Sequence, residues 1–258
     1  MNHVLHFSRT QEVDSLRTIA RNIGQNFDTL PDAPITAFMA MIGNRYQGEL
    51  MVIGRAVNGW IEGCKPQELN DTRNVNPFIE RVLQSVTDGY SCPMQWVSES
   101  WGNYDHDNYN TKNSQFWRVI RRVVDELSIA DVESPEWPSH LMWSNLYKFA
   151  PAEKGRKPSS GLCSIQFNEC KSLIEQEINT FSPKRILFLT GMNWAEPFIE
   201  RLMVEVTAIT SCQYVEGVGK LISASKTNSR LVVAAHPQGK KEDIWVEEVV
   251  SAFSVREI

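Results

Sequence analysis

Four short apolar runs, each leading through a loop to an amphipathic segment, constrain this chain more than any other feature. They lie at residues 50–53, 141–147, 185–191 and 230–235. Runs this short, bounded by turn residues, read as strands buried on both faces, as the inner strands of a parallel sheet are. Between and around them apolar residues recur at helical spacing. The expected helices cover 13–27, 76–86, 116–127, 165–181 and 244–253, with one more marked by Phe198, Leu202 and Val206. Region 208–228 reads as irregular and strand-like. Strands alternating with helices imply an α/β fold, a three-layer α/β/α arrangement around a central, mainly parallel four-stranded sheet. The whole of 1–258 is expected as one domain, with a helical N-terminal extension over 1–45 and an inserted aromatic loop over 88–113.

Composition narrows the function classes. The 258 residues carry 26 Lys and Arg against 31 Asp and Glu, a net charge of −5. Bulk positive charge therefore does not hold this chain to nucleic acid, although a local basic face is compatible with that balance. The five cysteines, at 64, 92, 163, 170 and 212, form no CxxC pair. They point to reduced thiols and a cytoplasmic protein rather than a disulfide frame or a zinc site. No apolar run is long enough to span a membrane and no signal peptide is evident, so no membrane partner is expected. A monomer without cofactor or metal is the expected state.

In open α/β sheets ligands sit beyond the carboxyl ends of the strands. Here those ends present Gly54, Arg55, Ala56 and Asn58 after the first run, and Asn145 with Lys148 at the second. Gly191 follows the third, and His236-Pro237-Gln238-Gly239-Lys240-Lys241 follows the fourth. Glycines admit a ligand close to the backbone, and asparagine offers a donor and an acceptor. The segment 148–160 holds Lys148, Lys154, Arg156 and Lys157, the most basic loop of an acidic chain. Each feature also has an ordinary reading: a tight turn, a satisfied asparagine, a buried histidine, a solvated basic loop. The arginines 118, 121 and 122 on the 116–127 helix read as its solvated face.

The order of these features resembles the uracil-DNA glycosylase superfamily. The segment Ser144-Asn145-Leu146-Tyr147-Lys148, then Pro151, Glu169-Cys170, Leu173, Glu177-Ile178, Pro183 and Ile186-Leu187 to Gly191, is similar to its iron–sulfur branch. Asn113 with Phe116-Trp117-Arg118-Val119-Ile120 is similar to a segment of the mismatch-specific branch. The resemblance covers roughly residues 50–253. It implies a DNA partner and hydrolysis of the N-glycosidic bond of a base flipped out of the stack. It also implies roles. His236 donates to the departing base, Asn145 reads the base's Watson–Crick edge, and Tyr104 or Tyr109 stacks on it. Gln238, which stands where the family has Ser, together with Gly239 and Lys240 holds a phosphate, as do Lys148, Arg156 and Lys157.

Two departures stand out. Where much of the family has a water-orienting Asp or Asn, this chain has Ala56, with Val57 in place of a proline. The water-positioning role then falls to Asn58, or to Asp105 or Asp107 in the inserted loop. Of the four cluster cysteines only Cys170 matches, and Phe149 occupies another ligand position, so no iron–sulfur cluster is expected. The resemblance implies uracil as the target, while the altered first loop and the insertion suggest a pocket that differs from the uracil-fitted one and takes a larger or modified pyrimidine, such as the glucosylated hydroxymethylcytosine of phage DNA. A catalytically silent DNA or modified-base reader of the same fold, and an α/β protein acting on a free nucleotide or other small molecule, remain open at this level.

Overall fold

The computed structural model describes residues 2–57, 59–87, 92–103, 109–202, 205–209, 211–222 and 228–254. Among the described residues nine strands run, in chain order, β1 Ile35–Ala37, β2 Met41–Ile42, β3 Leu50–Ala56, β4 Leu141–Tyr147, β5 Phe149–Pro151, β6 Arg185–Phe188, β7 Glu205–Ala208, β8 Val215–Ile222 and β9 Asn228–Ala234. The helices are α1 Asn2–Gln25, α2 Thr72–Thr87, α3 Trp96–Glu99, α4 Gln115–Glu126, α5 Ser160–Phe181, α6 Met192–Ile199 and α7 Glu242–Ser254. The chain is mixed α/β. It divides into two compact units assembled from interleaved segments: residues 1–40, 54–89 and 145–180, and residues 41–53, 90–144 and 181–258.

In the first unit α1 buries Leu16, Ile19, Ala20 and Ile23 on one face. Gly24 lets this helix touch the 66–70 turn, because a Cβ there would lie 2.3 Å from the carbonyl carbon of Leu69. The helix starts well before residue 13, since nothing from 2 to 12 is a helix breaker. Similarly, α2 begins at Thr72 rather than 76 because Asp71 accepts the Arg73 N–H at 3.0 Å, capping an extra turn ahead of Pro77. Helix α5 also starts early, where Ser159 Oγ accepts the Leu162 N–H. β1 and β5 pair antiparallel, Ile35 opposite Pro151.

The main sheet, whose strands lie largely in the second unit, has the order β2-β4-β3-β6-β9-β8-β7. The four expected strands are its contiguous centre. The expected count of four is corrected to seven, because antiparallel strands extend both margins. β3, β6 and β9 pair in parallel, Ile53 level with Phe188 and Phe188 with Val233. β2 pairs antiparallel with β4, β8 with β9, and β7 with β8. Val206, expected on a helix, lies in β7 because α6 and its short 3-10 extension end at Leu202 and the chain turns back to pair with Gly219. Central residues Ile53, Ile186, Leu187, Leu231, Val232 and Val233 are fully buried. The expected loop 88–113 is partly folded where it is described. It contains α3 and a 3-10 turn at Thr111–Asn113, with Asn110 Oδ1 accepting from the Gly102 and Lys112 amides.

Candidate functional site

In the second unit, β9 delivers its end rigidly. The Ala235 N–H donates to the Tyr214 carbonyl at 2.8 Å, and the Ala235 carbonyl accepts from Trp245 Nε1 at 2.8 Å. Next comes a tight turn closed by Lys240 N–H to the Pro237 carbonyl, 2.9 Å, with Gly239 at φ +74°. Only glycine takes that backbone region without strain. Half-buried His236 accepts at Nδ1 from the Gln238 N–H, 3.3 Å. In the neutral ring this acceptor role at Nδ1 leaves the proton on Nε2, making Nε2–H a donor.

The His236 ring stacks on Phe116 at a centroid distance of 6.5 Å and an interplanar angle of 29°. Phe116, the second residue of α4, adjoins an aromatic wall: Trp117 meets Trp143 at 5.2 Å and Trp96 at 5.4 Å, and Trp96 meets Tyr109 at 6.3 Å. Together these elements enclose a half-open cavity of about 440 Å³, lined among others by Tyr109, Asn113, Ser114, Phe116, His236 and Gln238. That volume is in the range of small-molecule and nucleoside-sized sites. The Tyr109 side chain is 42% exposed, yet burial around its hydroxyl raises the phenol pKa against the opposing hydrogen bonds with Ser114 and Trp117.

The turn's amides are not available as sequence reasoning expected. The Gly239 N–H donates to Gln115 Oε1 at 2.7 Å, and the Lys240 N–H is taken by Pro237. A phosphate seat built from these amides is corrected accordingly: they are already spent inside the protein. Lys240 keeps its charge at the surface, with its ammonium 5.7 Å from the Tyr214 ring centre. Arg118 is likewise no free solvated charge; it is bidentate to Glu242 and donates to the Lys112 carbonyl.

In the first unit Gly54 is buried within β3, which runs on to Ala56, so the glycine is part of the strand and not its stop. Arg55 and Ala56 are half-buried at the strand's end. On β4, Asn145 is 2% exposed, and its Nδ2 has no hydrogen-bond partner among the described residues. Such a group costs about 1–3 kcal/mol, and most buried polar atoms avoid that cost.

Lys148, expected on DNA, is corrected. It is 0% exposed and its ammonium lies 2.6 Å from Glu177 Oε1. Its backbone N–H and that of Phe149 both donate to Gln166 Oε1, while Gln166 Nε2 donates to the Phe149 carbonyl at 2.8 Å. The long aliphatic stem and a buried carboxylate partner make this lysine a core residue. Cys170, the match to a cluster ligand, is fully buried and its thiol is pushed up to about 12 by burial. Arg156, paired with Glu153, and Lys157 remain on the surface as expected.

Asn58, Tyr104, Asp105 and Asp107 lie outside the described residues. Sequence reasoning overlooked Asn110, Ser114 and Gln115 on the cavity; the place of Gln115 is set by contacts more than a hundred residues away in sequence. Among the described residues no group of three His, Cys, Asp or Glu is arranged to hold a metal, and no helix is long and apolar enough to cross a membrane. No protein-family model matches the sequence, and no curated protein matches it.

Proposed function

We propose that the protein is a DNA glycosylase of the uracil-DNA glycosylase kind, with the three-layer fold and monomeric state of that group. It hydrolyses the N-glycosidic bond of a flipped-out uracil or modified pyrimidine and leaves an abasic site. The observation that carries this is Asn145: a buried amide with a donor unanswered among the described residues, at the position where the resemblance puts recognition of the base edge. A base carbonyl supplies the missing acceptor, turning a cost of the free protein into affinity for the extruded base.

The chemistry follows from charge. As the C1′–N bond breaks, its electron pair leaves with the base and positive charge grows on the sugar, to which water adds. His236, with its donor at Nε2, stabilises the departing base's oxygen. Phe116 keeps the imidazole flat against an apolar face, and Tyr109 offers a ring to stack on. Asn58 or Asp105 orients the water, and Arg156, Lys157 and Lys240 meet the phosphate backbone.

A second reading is a silent reader of a modified base. It is favoured by Ala56, whose methyl group, at the end of β3, cannot orient water. Base release from duplexes containing uracil, thymine mismatches, hydroxymethylcytosine or glucosylated hydroxymethylcytosine separates the two. Release from any member, seen as alkali-labile abasic sites, supports the enzyme. Tight binding with no release from all of them supports the reader.

A further inference from the structure

We propose that Gln115 is a positioning residue for His236, acting through the turn that follows it; this rests on the functional reading above. Gln115 is the first residue of α4, and its carboxamide spends both ends on one short stretch of chain. Oε1 accepts the Gly239 N–H at 2.7 Å, and Nε2 donates to the Lys240 carbonyl at 2.7 Å. Only a side chain with a donor and an acceptor on the same planar group makes this clamp.

What the clamp holds is the turn that fixes the histidine's tautomer. Gly239 sits at φ +74° in open space, with nothing within 4 Å of where a Cβ would be, so packing does not restrain it. The turn's internal bond, Lys240 N–H to Pro237, and the Gln238 N–H that faces His236 Nδ1 belong to the same five residues. Losing Gln115 frees the turn at its exposed end and loosens the Gln238 contact that keeps the proton on Nε2. The next residue, Phe116, stacks on the imidazole. The first turn of α4 therefore fixes both the plane of the ring and the orientation of its nitrogens.

A second link, from α4 to α7 itself rather than to the turn before it, provides the control. Arg122 pairs with Asp243 at 2.7 Å, outside the turn and the cavity. If strapping α4 to α7 were all that mattered, Arg122→Ala and Gln115→Ala would act alike.

The test compares Gln115→Ala, Gln115→Glu and Arg122→Ala in the full-length protein. One readout is the nitrogen chemical shifts of the His236 imidazole, assigned by its loss in His236→Gln. The other is single-turnover base release from whichever duplex the wild type cleaves. In the wild type we expect a predominantly Nε2–H tautomer. In Gln115→Ala we expect a mixed tautomer population and a roughly 10–100-fold slower release at saturating DNA with unchanged half-saturation, the size expected of a small misplacement. Gln115→Glu, which keeps the acceptor and loses the donor, falls between. Arg122→Ala matches wild type in both readouts. Unchanged imidazole shifts in Gln115→Ala, or equal effects of Gln115→Ala and Arg122→Ala, overturn the proposal. If the wild type releases no base, the glycosylase reading fails on that result, and the imidazole shifts still decide the role of Gln115.

Discussion

Two buried polar residues three positions apart, Asn145 on β4 and Lys148 at the bend between β4 and β5, differ in one respect. Around Lys148 every strong hydrogen-bonding demand is answered within the first unit: the ammonium by Glu177, its N–H and that of Phe149 by Gln166, and the Phe149 carbonyl by Gln166 again. Around Asn145 one donor is left over. The first arrangement is a closed network, and the second has an open donor. Burial alone does not distinguish them, because both side chains are almost inaccessible to solvent. Closure of the hydrogen-bond inventory does.

The comparison is broken most severely at the closed network. Lys148→Ala strands the Glu177 carboxylate in the core, which costs about 3–5 kcal/mol. Urea unfolding is expected to show a loss of that size, whereas Lys148→Met with Glu177→Leu recovers most of it. Asn145→Ala sharpens the contrast. Stability is unchanged or rises by up to about 1–3 kcal/mol, because an unsatisfied donor is removed. Base release meanwhile falls by roughly 10²–10³-fold, the usual loss for one donor aimed at developing charge. Thermal unfolding and single-turnover release measured on one preparation show whether the two move in opposite directions.

Gln166→Leu is intermediate in size, at about 2 kcal/mol, because it orphans backbone groups of Lys148 and Phe149 that a β-edge supplies with no other partner. The smallest effect belongs to the exposed counterpart, Glu49 with Lys184 and Arg185. Hydrogen bonding to Lys184, above all, holds the Glu49 carboxyl below its usual 4.5. A depressed carboxylate contributes stability above the unfolded-state value and loses it as pH falls through the folded one. Glu49→Gln is therefore expected to lower stability at neutral pH by no more than about 1 kcal/mol, given its solvent exposure, and to leave it unchanged once pH is well below 4. Urea midpoints at neutral and acid pH check this.

The parts of the fold visible in the sequence were those with strong periodicity. The aliphatic runs of β3, β4, β6 and β9 are buried on both faces, so side-chain type alone reported them. β2, two residues long, leaves no trace in the sequence, and β8, which carries Gly217 and Gly219 where a strand pattern needs side chains, shows only as an irregular, strand-like region. The sequence places the starts of α1, α2 and α5 too late, because a single buried apolar residue in the first turn, Val75 in α2 or Leu162 in α5, is too little to show helical spacing. At the site, His236 and Asn145 were legible because their residue types at strand ends carry chemistry. Lys148 was misread because charge in a sequence suggests solvent, while its partner Glu177 stands 29 residues away. Gln115 was invisible for the same reason, its partners lying 124 and 125 residues on.

The most direct measurement is single-turnover base release by wild type and Asn145→Ala on the modified-duplex panel, paired with their melting temperatures. An open donor used for base recognition predicts release by the wild type and a loss of roughly 10²–10³-fold in Asn145→Ala, with a melting temperature equal or higher. Equal release by the two proteins, or a lower melting temperature in the variant with DNA behaviour unchanged, would show that Asn145 is one more structural residue of β4.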